Sequence, residues 1–384
     1  MVYVDGLPLS ELRKRSSTKW RDFAPDVLPL PVAEMDFEIA EPIRALLLDL
    51  VQQSDTGYLG SIPELGEALA TFTAKRWSWK IESENIFLAT DVGVGMVEMA
   101  RTIVQPGDSI LINSPVYHNF NNWIAELKCI SVDAPLKRTG EDNLNYVLDL
   151  AAIERAYAEG IKIHFLCNPS NPTGTVFTKS ELAELAELAK KYNVAIFSDE
   201  IHAPLTFAEP VFTPFLNVSE TAREVGICVT SASKSWNLAG LKCAQIIVAS
   251  ENQLARAKSM PMAVHWRASL FGALAAAEAF KSVDWLDGAL AAIDRNRKYL
   301  KELLTNNLPS VGYRIPDCSY LAWLDVSALN LGEDPAAIFL EKGKVAFNAG
   351  ATFAPGSEGF VRLNFATSTQ VLDEAVQRMV ATTR

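Results

Sequence analysis

The chain has 384 residues, which at roughly 100 to 200 residues per domain allows two or three compact units. Its 35 Lys and Arg against 46 Asp and Glu give a formal net charge of −11, with acidic and basic residues interspersed. Because nucleic-acid binding depends on clustered Lys and Arg, this charge pattern argues against a DNA or RNA partner. Hydrophobic residues make up 49% and charged residues 21%, which is typical of globular proteins and excludes a disordered or fibrous chain.

No segment predicts export or membrane insertion. Residues 1–17 lack the apolar stretch of a secretory signal, and the most apolar runs are shorter than the roughly 18 residues that a bilayer span needs. The five cysteines lie far apart and form no C-x-x-C pair, which indicates reduced thiols and a cytoplasmic protein. The four histidines show no ligand spacing, so we expect no metal site.

Short apolar runs that alternate with amphipathic segments predict a sheet. Seven of these runs are typical of buried strands: 85–89, 109–113, 128–132, 162–167, 194–198, 227–231 and 243–249. Segment 179–191 carries Leu at helical spacing, with Thr178 or Ser180 as its N-cap. This alternation predicts an α/β fold, with a mainly parallel seven-stranded sheet between layers of helices.

The pattern changes near residue 282. A long helix (285–305), a strand-like segment (319–326), a helix near 335–341, a second strand-like segment (360–365) and a last helix from Gln370 predict a smaller α+β domain. We therefore expect an N-terminal arm that forms part of the small domain (1–45), a large domain (46–281) and a small C-terminal domain (282–384).

Polar clusters directly follow three of the predicted strands. They are NPSNPTG at 168–174, SDEIH at 198–202 and SASKSW at 231–236. The carboxyl ends of parallel strands form the ligand-binding edge of an open sheet, so we expect these clusters to meet. There the amine of Lys234 could form a Schiff base with a carbonyl, and Asp199 could pair with a protonated ring nitrogen. Taken singly, an exposed lysine and a helix-capping aspartate explain the same residues.

Taken as a set, these groups are the ones that pyridoxal 5′-phosphate (PLP) requires of a protein. Their order and spacing resemble the fold-type I PLP enzymes of the class I/II aminotransferase superfamily. The flanking motifs VAEMDF (32–37), SPVYHNF (114–120) and FVRLNF (360–365) most resemble the MalY/PatB-like cystathionine β-lyase, or C-S lyase, branch. The resemblance implies the PLP-dependent transferase fold, with a large cofactor-binding domain and a smaller α+β domain.

The resemblance also implies roles for the central residues. Lys234 would bond the cofactor and move the Cα proton of the substrate, and Asp199 would hold the pyridine N–H. Asn171 would donate to the phenolate oxygen of the ring, and His202 would lie on that same side. Tyr117 would stack on the ring, and catalysis would rest mainly on Lys234, Asp199 and Tyr117.

The cofactor phosphate is expected at the start of the helix that contains residues 96–101, because a helix N-terminus favours an anion. The backbone amides of Val92 and Gly93 would bind it there. Ser231 and Ser233 would add hydroxyl groups, and Lys242 would add a positive charge where aminotransferases commonly carry Arg.

Substrate binding is expected to involve two further segments and a second subunit. Arg362 would bind the substrate α-carboxylate through its planar pair of donors, and Ala33 would add a backbone contact. Tyr58, in TGYLG, matches a tyrosine that reaches the cofactor phosphate in the neighbouring subunit, so the resemblance implies a homodimer with shared sites. Glu34 replaces the Asp that is usual in the lyase signature.

The expected reaction is β-elimination from a sulfur amino acid, which releases pyruvate, ammonia and a thiol. An aminotransferase that passes the amino group to a keto acid is the alternative, since it shares the same proton abstraction. A nicotinamide dehydrogenase is disfavoured because Glu98, in DVGVGMVE at 91–98, occupies the third glycine position of the dinucleotide fingerprint. A regulator that uses this fold to bind another protein stays open.

Overall fold

The computed structural model describes residues 2–384. Within them, no helix combines the length and the apolar character that crossing a bilayer requires. The α-helices are α1 (Leu9–Leu12), α2 (Thr18–Arg21), α3 (Glu41–Gln52), α4 (Pro63–Trp77), α5 (Val92–Ala100), α6 (Asn119–Glu126), α7 (Leu150–Ala158), α8 (Lys179–Tyr192), α9 (Glu220–Val225), α10 (Ala232–Ser235), α11 (Glu251–Ser259), α12 (Met262–Trp266), α13 (Leu270–Lys281), α14 (Val283–Asn307), α15 (Pro335–Gly343) and α16 (Thr369–Thr382).

The strands form one large sheet, one smaller sheet and two short pairings. They are β1 (Leu28–Pro29), β2 (Ile86–Ala89), β3 (Ser109–Ile112), β4 (Ile130–Asp133), β5 (Lys137–Thr139), β6 (Asn145–Val147), β7 (Ile163–Cys167), β8 (Ala195–Asp199), β9 (Gly226–Thr230), β10 (Ala244–Ile247), β11 (Gly312–Tyr313), β12 (Leu321–Asp325), β13 (Val345–Ala346), β14 (Asn348–Ala349) and β15 (Phe360–Asn364).

The large sheet has seven strands in the order β2-β10-β9-β8-β7-β3-β4, which confirms the predicted α/β fold. Four of its pairings are parallel, and β10 runs antiparallel to both of its neighbours. Each of the seven predicted strands corresponds to one of these. The prediction that all seven are buried is wrong for β4, where Ile130 is 55% exposed. The reason is position, since β4 lies at the sheet edge and pairs with β3 alone.

Local sequence explains where helix α8, which packs beside this sheet, begins. Helix α8 begins after Thr178, whose hydroxyl accepts from the Glu181 amide while the Glu181 carboxylate accepts from the Thr178 amide. This reciprocal capping box satisfies two amides that the first turn leaves without partners. Leu182, Leu185 and Ala186 then bury one face of the helix in the core.

The smaller sheet has the order β11-β12-β15-β14, with antiparallel pairing throughout. Helices α14 and α16 pack against each other beside it, and α14 extends two residues beyond the predicted 285–305 at each end. Strand β1 pairs in parallel with β13, so the N-terminal arm lies against the C-terminal part of the chain. The division into the three segments given above stays a prediction.

A buried ion pair fixes the N-terminal arm. The Nζ atom of Lys19 lies 2.8 Å from Oδ2 of Asp36, and neither side chain is exposed. Removing one partner of such a pair typically costs about 3–5 kcal/mol of stability, because the other charge stays buried alone. The ion pair anchors residues 31–36. Within them, the carbonyl oxygen of Ala33 accepts a hydrogen bond from Lys234, and that of Pro31 accepts one from Arg362.

Candidate active site

The polar clusters meet at the carboxyl ends of three adjacent parallel strands. Strands β7, β8 and β9 are neighbours, with Cys167 opposite Asp199 and Asp199 opposite Val229. A cavity of about 430 Å³ opens there, lined by Pro31, Val32, Ala33, Asp91, Val92, Gly93, Tyr117, His118, Asn119, Trp123, Cys167, Asn171, Asp199, Ile201, His202, Ser233, Lys234, Ala239, Lys242, Asn348 and Arg362. Two clefts of larger volume, about 720 and 810 Å³, contain none of the predicted site residues. The smaller cavity is therefore the candidate active site because of the residues that line it and not because of its volume.

Lys234 lies in the short helix α10, one turn after β9 ends. Its Nζ atom donates to the carbonyl oxygen of Ala33 at 3.0 Å. Burial lowers the pKa of Lys234 to about 8, and the positive charge of Arg362 acts in the same direction. An amine with such a pKa is partly neutral near physiological pH, which is the form that attacks a carbonyl.

Asp199 ends β8 and presents a carboxylate to the cavity. It is 4% exposed, and its Oδ1 accepts from the Ile201 amide at 3.1 Å. Oδ2 has no hydrogen-bond partner among the described residues. Burial raises the pKa of Asp199 to about 7, and the Ile201 amide and the Lys234 charge only partly oppose this rise. A cationic N–H partner in the cavity would favour the ionised carboxylate.

Asn171 and Arg362 form the link between the two sheets. The Nη1 atom of Arg362 donates to Oδ1 of Asn171 at 2.9 Å, which leaves the Asn171 amide nitrogen free to donate into the cavity. The Nη2 atom donates to the Pro31 carbonyl at 2.8 Å and to Oδ1 of Asn348 at 2.6 Å. Of the five guanidinium N–H groups, the one on Nε and one on Nη1 remain without an acceptor.

The guanidinium of Arg362 lies over the ring of Phe353, with 4.9 Å between its central carbon and the ring centroid. Arg362 is 4% exposed, and burial lowers its pKa to about 10, so it stays charged near neutral pH. A buried, charged guanidinium with unpaired N–H groups is suited to bind a carboxylate.

An anion-binding end forms at the start of α5. Asp91 caps this helix by accepting from the Val94 amide at 2.9 Å, so the amides of Val92 and Gly93, as the first two of the helix, lack an intrahelical acceptor. Lys242 brings a positive charge to the same place and lies 3.1 Å from Asp91. The hydroxyl of Ser233 also lines the cavity.

Aromatic rings cover this end of the cavity. Tyr117 and Trp123 meet edge to face, with 5.9 Å between ring centroids, and Asn119 donates to the Tyr117 hydroxyl at 2.6 Å. Burial raises the pKa of Tyr117, so its hydroxyl stays protonated. The Trp123 indole leaves no room for a side chain at position 93, because a Cβ atom at Gly93 would lie 2.8 Å from Nε1 of that ring.

Two predicted site residues do not line the cavity. Ser231 is 1% exposed, and its hydroxyl donates to the Cys243 carbonyl at 2.6 Å. The single hydroxyl proton of Ser231 is therefore used in that bond. The Ser231 oxygen also accepts a hydrogen bond from the Ser233 amide, which stabilises the loop. Tyr58 is 91% exposed and lies outside the cavity of its own chain. The other predicted residues all border the cavity, including Ala33 and His202.

Several lining residues escaped the sequence analysis. The ring of His118 packs between Tyr117 and Phe353, with ring centroids 5.0 and 5.9 Å away, and its buried Nδ1 has no partner. Asn348 orients Arg362 through the contact given above. His118 lies within the SPVYHNF motif and could have been singled out there. Asn348 gave no signal, because its place depends on the pairing of β14 with β15.

Comparison with known proteins agrees with this geometry. The family model for aminotransferase class I and II matches residues 25–379. The chain is 34% identical to a cystathionine β-lyase of Corynebacterium glutamicum over 97% of this chain and 98% of that one. It is 30% identical to the cystathionine β-lyase PatB of Bacillus subtilis over 93% and 92%.

A solved structure has the same fold along its whole length. The crystal structure of cystalysin from Treponema denticola, which contains pyridoxal 5′-phosphate, superposes with a TM-score of 0.91 at 26% identity, and covers 100% of this chain and 99% of that one. The family match spans every residue that lines the cavity, from Pro31 to Arg362. The chain therefore belongs to the class I and II aminotransferase family.

Proposed function

We propose that the protein is a PLP-dependent carbon-sulfur β-lyase, which cleaves a sulfur amino acid such as cystathionine to pyruvate, ammonia and a thiol. The observation that carries the proposal is the meeting of a buried amine, Lys234, a buried carboxylate, Asp199, and a buried guanidinium, Arg362, around one cavity. The two relatives named cystathionine β-lyase support this reaction over others of the family.

The donor set of the cavity fits PLP. The cofactor aldehyde matches the Lys234 amine, and the pyridine N–H matches the free Oδ2 of Asp199. The ring oxygen matches the free amide nitrogen of Asn171, while the ring of Tyr117 borders the same space. Bound in this way, PLP supplies an electron sink that stabilises negative charge at the substrate Cα. Asp199 supports the sink, because its negative charge keeps the ring nitrogen protonated.

The phosphate of the cofactor would bind at the start of α5. The free amides of Val92 and Gly93 donate to it, and the helix dipole favours its negative charge. Lys242 adds a cation, for which Asp91 competes at 3.1 Å. The Ser231 proton is already used on the Cys243 carbonyl, so the Ser233 hydroxyl donates to the Ser231 oxygen at 2.6 Å. Ser233 borders the cavity and would turn its proton from Ser231 to the phosphate when the cofactor binds.

The substrate is oriented by the groups that remain. Arg362 binds the α-carboxylate with its unpaired N–H groups, and the Ala33 amide adds a backbone donor. Lys234 then removes the Cα proton as its neutral amine, which its lowered pKa makes available. The Cβ–S bond breaks and the electron pair leaves on sulfur. Hydrolysis of the remaining three-carbon fragment gives pyruvate and ammonia.

The decisive experiment is an assay without any keto acid. We expect the PLP-loaded protein to convert cystathionine to pyruvate and a free thiol, with one thiol released for each pyruvate formed. Lys234→Ala is the control and should release neither product. If turnover requires an added keto acid and the amino group appears on that acceptor, the protein is an aminotransferase and the lyase proposal fails.

We further propose a homodimer in which Tyr58 completes the site of the partner subunit. The exposed ring of Tyr58 stands in segment 53–61, where added Cβ atoms at Gly57 and Gly60 would meet no neighbour. Met262 and Trp266, 74% and 49% exposed, add apolar surface that a second subunit would cover.

The chemistry of the cysteines supports a cytoplasmic location. All five are free thiols, and all but Cys129 are buried. A reducing compartment keeps such thiols in this state. We therefore propose that the enzyme works in the cytoplasm on small amino-acid substrates.

A further inference from the structure

Ser319 adopts a backbone conformation that serine rarely takes. Its φ is +71°, in the left-handed region that favours glycine and asparagine. The residue is 2% exposed, and its amide donates to the Leu205 carbonyl at 3.0 Å. Neighbouring Cys318 forms an isolated bridge with Thr206, so both chain segments are fixed. Strain of this kind persists where the surrounding structure holds it, and it often marks a functional side chain.

The side chain of Ser319 makes one hydrogen bond. Its Oγ lies 3.0 Å from Nδ1 of His202, and both residues are buried. Burial and the charges of Lys234 and Arg362 lower the pKa of His202 to about 3, so the imidazole is neutral and carries a single proton. Whether that proton lies on Nδ1 or on Nε2 depends on which atom of the pair is the donor.

Hydrogen-bond accounting decides the direction. The Ser319 hydroxyl has no acceptor other than His202 among the described residues, and a buried donor without an acceptor is costly. If Nδ1 carried the proton, the hydroxyl proton would be left without an acceptor. If the hydroxyl donates to Nδ1, the hydroxyl proton has its acceptor, and the imidazole proton lies on Nε2.

The Nε2 atom of His202 faces the cavity. This atom has no hydrogen-bond partner among the described residues, and it is not fully buried. His202 lines the cavity beside Lys234 and Asn171. The titratable neighbours of the ring are Lys234, Arg362 and Cys318, together with Tyr320, whose ring lies 6.2 Å away edge to face. None of these accepts a hydrogen bond from Nε2.

We propose that Ser319 is a positioning residue, which holds His202 as the Nε2–H tautomer so that the imidazole donates a hydrogen bond into the cavity. This inference rests on the proposed function for the identity of the acceptor, the ring oxygen of PLP that Asn171 also serves. Ser319 thereby places a second neutral donor next to that oxygen, without adding a charge to a cavity that already holds Lys234 and Arg362.

Two variants separate the hydroxyl from the backbone strain. Ser319→Gly removes the hydroxyl and relieves the left-handed conformation, whereas Ser319→Ala removes the hydroxyl and keeps the strain. Both should lose the tautomer preference of His202 alike. Their thermal stabilities should differ, with the glycine variant the more stable in its backbone, and it serves as the folded reference if the alanine variant unfolds.

The first measurement is independent of the cofactor. Nitrogen-15 NMR of the histidine rings in the cofactor-free protein reports which ring nitrogen carries the proton, and the signal of His202 is assigned by its loss in His202→Gln. We expect protonated Nε2 and bare Nδ1 in the wild type, and a mixture of tautomers in both Ser319 variants. A wild-type ring protonated at Nδ1, or unchanged tautomers in both variants, would overturn the proposal.

The second measurement uses the loaded enzyme. A donor on the ring oxygen competes with the proton that this oxygen otherwise shares with the lysine nitrogen. The pH midpoint of the visible band should therefore rise in both variants by about half to one unit, the size of one ordinary hydrogen bond. A shift in Ser319→Ala alone would assign the effect to strain and refute the role of the hydroxyl. If the wild type forms no visible band with PLP, the proposed function fails, and the NMR result still decides the role of Ser319.

Discussion

The amine of Lys234 donates to the carbonyl oxygen of Ala33 across 3.0 Å, and so joins helix α10 to the N-terminal segment of the chain. The Tyr320 hydroxyl donates to the same oxygen at 2.9 Å. One carbonyl thus positions the amine with respect to both the arm and β12, which begins at Leu321. The buried pair of Lys19 and Asp36 fixes the same segment, since Lys19 also donates to the Glu34 carbonyl at 3.2 Å.

The lowered pKa of Lys234 predicts how the protein captures PLP. The neutral amine is the nucleophile, and in the folded protein its pKa is about 8 against the ordinary value of 10.5. We expect the rate of covalent capture by the cofactor-free protein to rise with pH through a midpoint near 8, and to level off above it. Stopped-flow absorbance of the visible band measures this rate. Lys234→Arg is the control and should show no capture, while a midpoint near 10.5 would contradict the prediction.

Asp199 predicts a conflict between function and stability. Its pKa rises from 3.8 to about 7 on folding because the carboxyl group is buried. The folded protein then binds more protons than the unfolded chain between these values, so stability falls as pH rises through this window, by on the order of 1 kcal/mol per pH unit at most. Replacing the Asp199 carboxylate by a neutral group should remove this loss of stability at higher pH.

We therefore expect cofactor-free Asp199→Asn to be more stable than the wild type at pH 8 and similar to it at pH 4, as measured by urea denaturation. The same variant should lose at least about two orders of magnitude in kcat, because the ring nitrogen loses its anionic partner. If the variant and the wild type were equally stable at both pH values, burial would not raise the pKa of the Asp199 carboxyl group. Undiminished kcat would remove Asp199 from the reaction.

The close contact of Gly93 with Trp123 predicts a stability defect that a second substitution repairs. In Gly93→Ala, the new Cβ would lie 2.8 to 2.9 Å from three indole atoms, so the ring must move. We expect a loss of about 1–3 kcal/mol, as for other overpacked sites, and weaker retention of PLP. Trp123→Leu in the same chain should restore part of the stability. A double-mutant cycle with no coupling between the two residues would contradict this account.

The large sheet is predictable from sequence because its strands carry local signals. Segments 162–167 and 194–198 are mainly apolar runs that end in polar turns, and they match Ile163–Cys167 and Ala195–Asp199 closely. The pairings of β5 with β6 and of β1 with β13 escape prediction, because two or three residues hold too little of a pattern. The exposure of β4 follows from strand order, which no local pattern reveals.

Some residues of the candidate site can likewise be predicted from local sequence, and others cannot. Asp199 and Lys234 come together because adjacent parallel strands end at one edge, so their meeting is predictable from strand position alone. Arg362 comes from the other sheet, and only family resemblance, not a local pattern, implies its role in binding the substrate carboxylate. Its hydrogen bond to Asn171 is not predicted by either. The left-handed backbone of Ser319 and the lone Nδ1 of His118 arise from tertiary contacts, which the sequence does not display.

The exposed ring of Tyr58 predicts complementation between two defective subunits. If Tyr58 serves the site of the partner, a heterodimer of Tyr58→Ala and Lys234→Ala chains contains one site with both groups intact. Mixing the two variants and letting subunits exchange should then recover about a quarter of the wild-type activity, since half of the dimers are mixed and each has one working site. Each variant alone should stay well below this level, with Tyr58→Ala losing PLP more readily. Without recovery after verified exchange, Tyr58 would belong to its own chain's site, because a mixed dimer would then have no site with both groups.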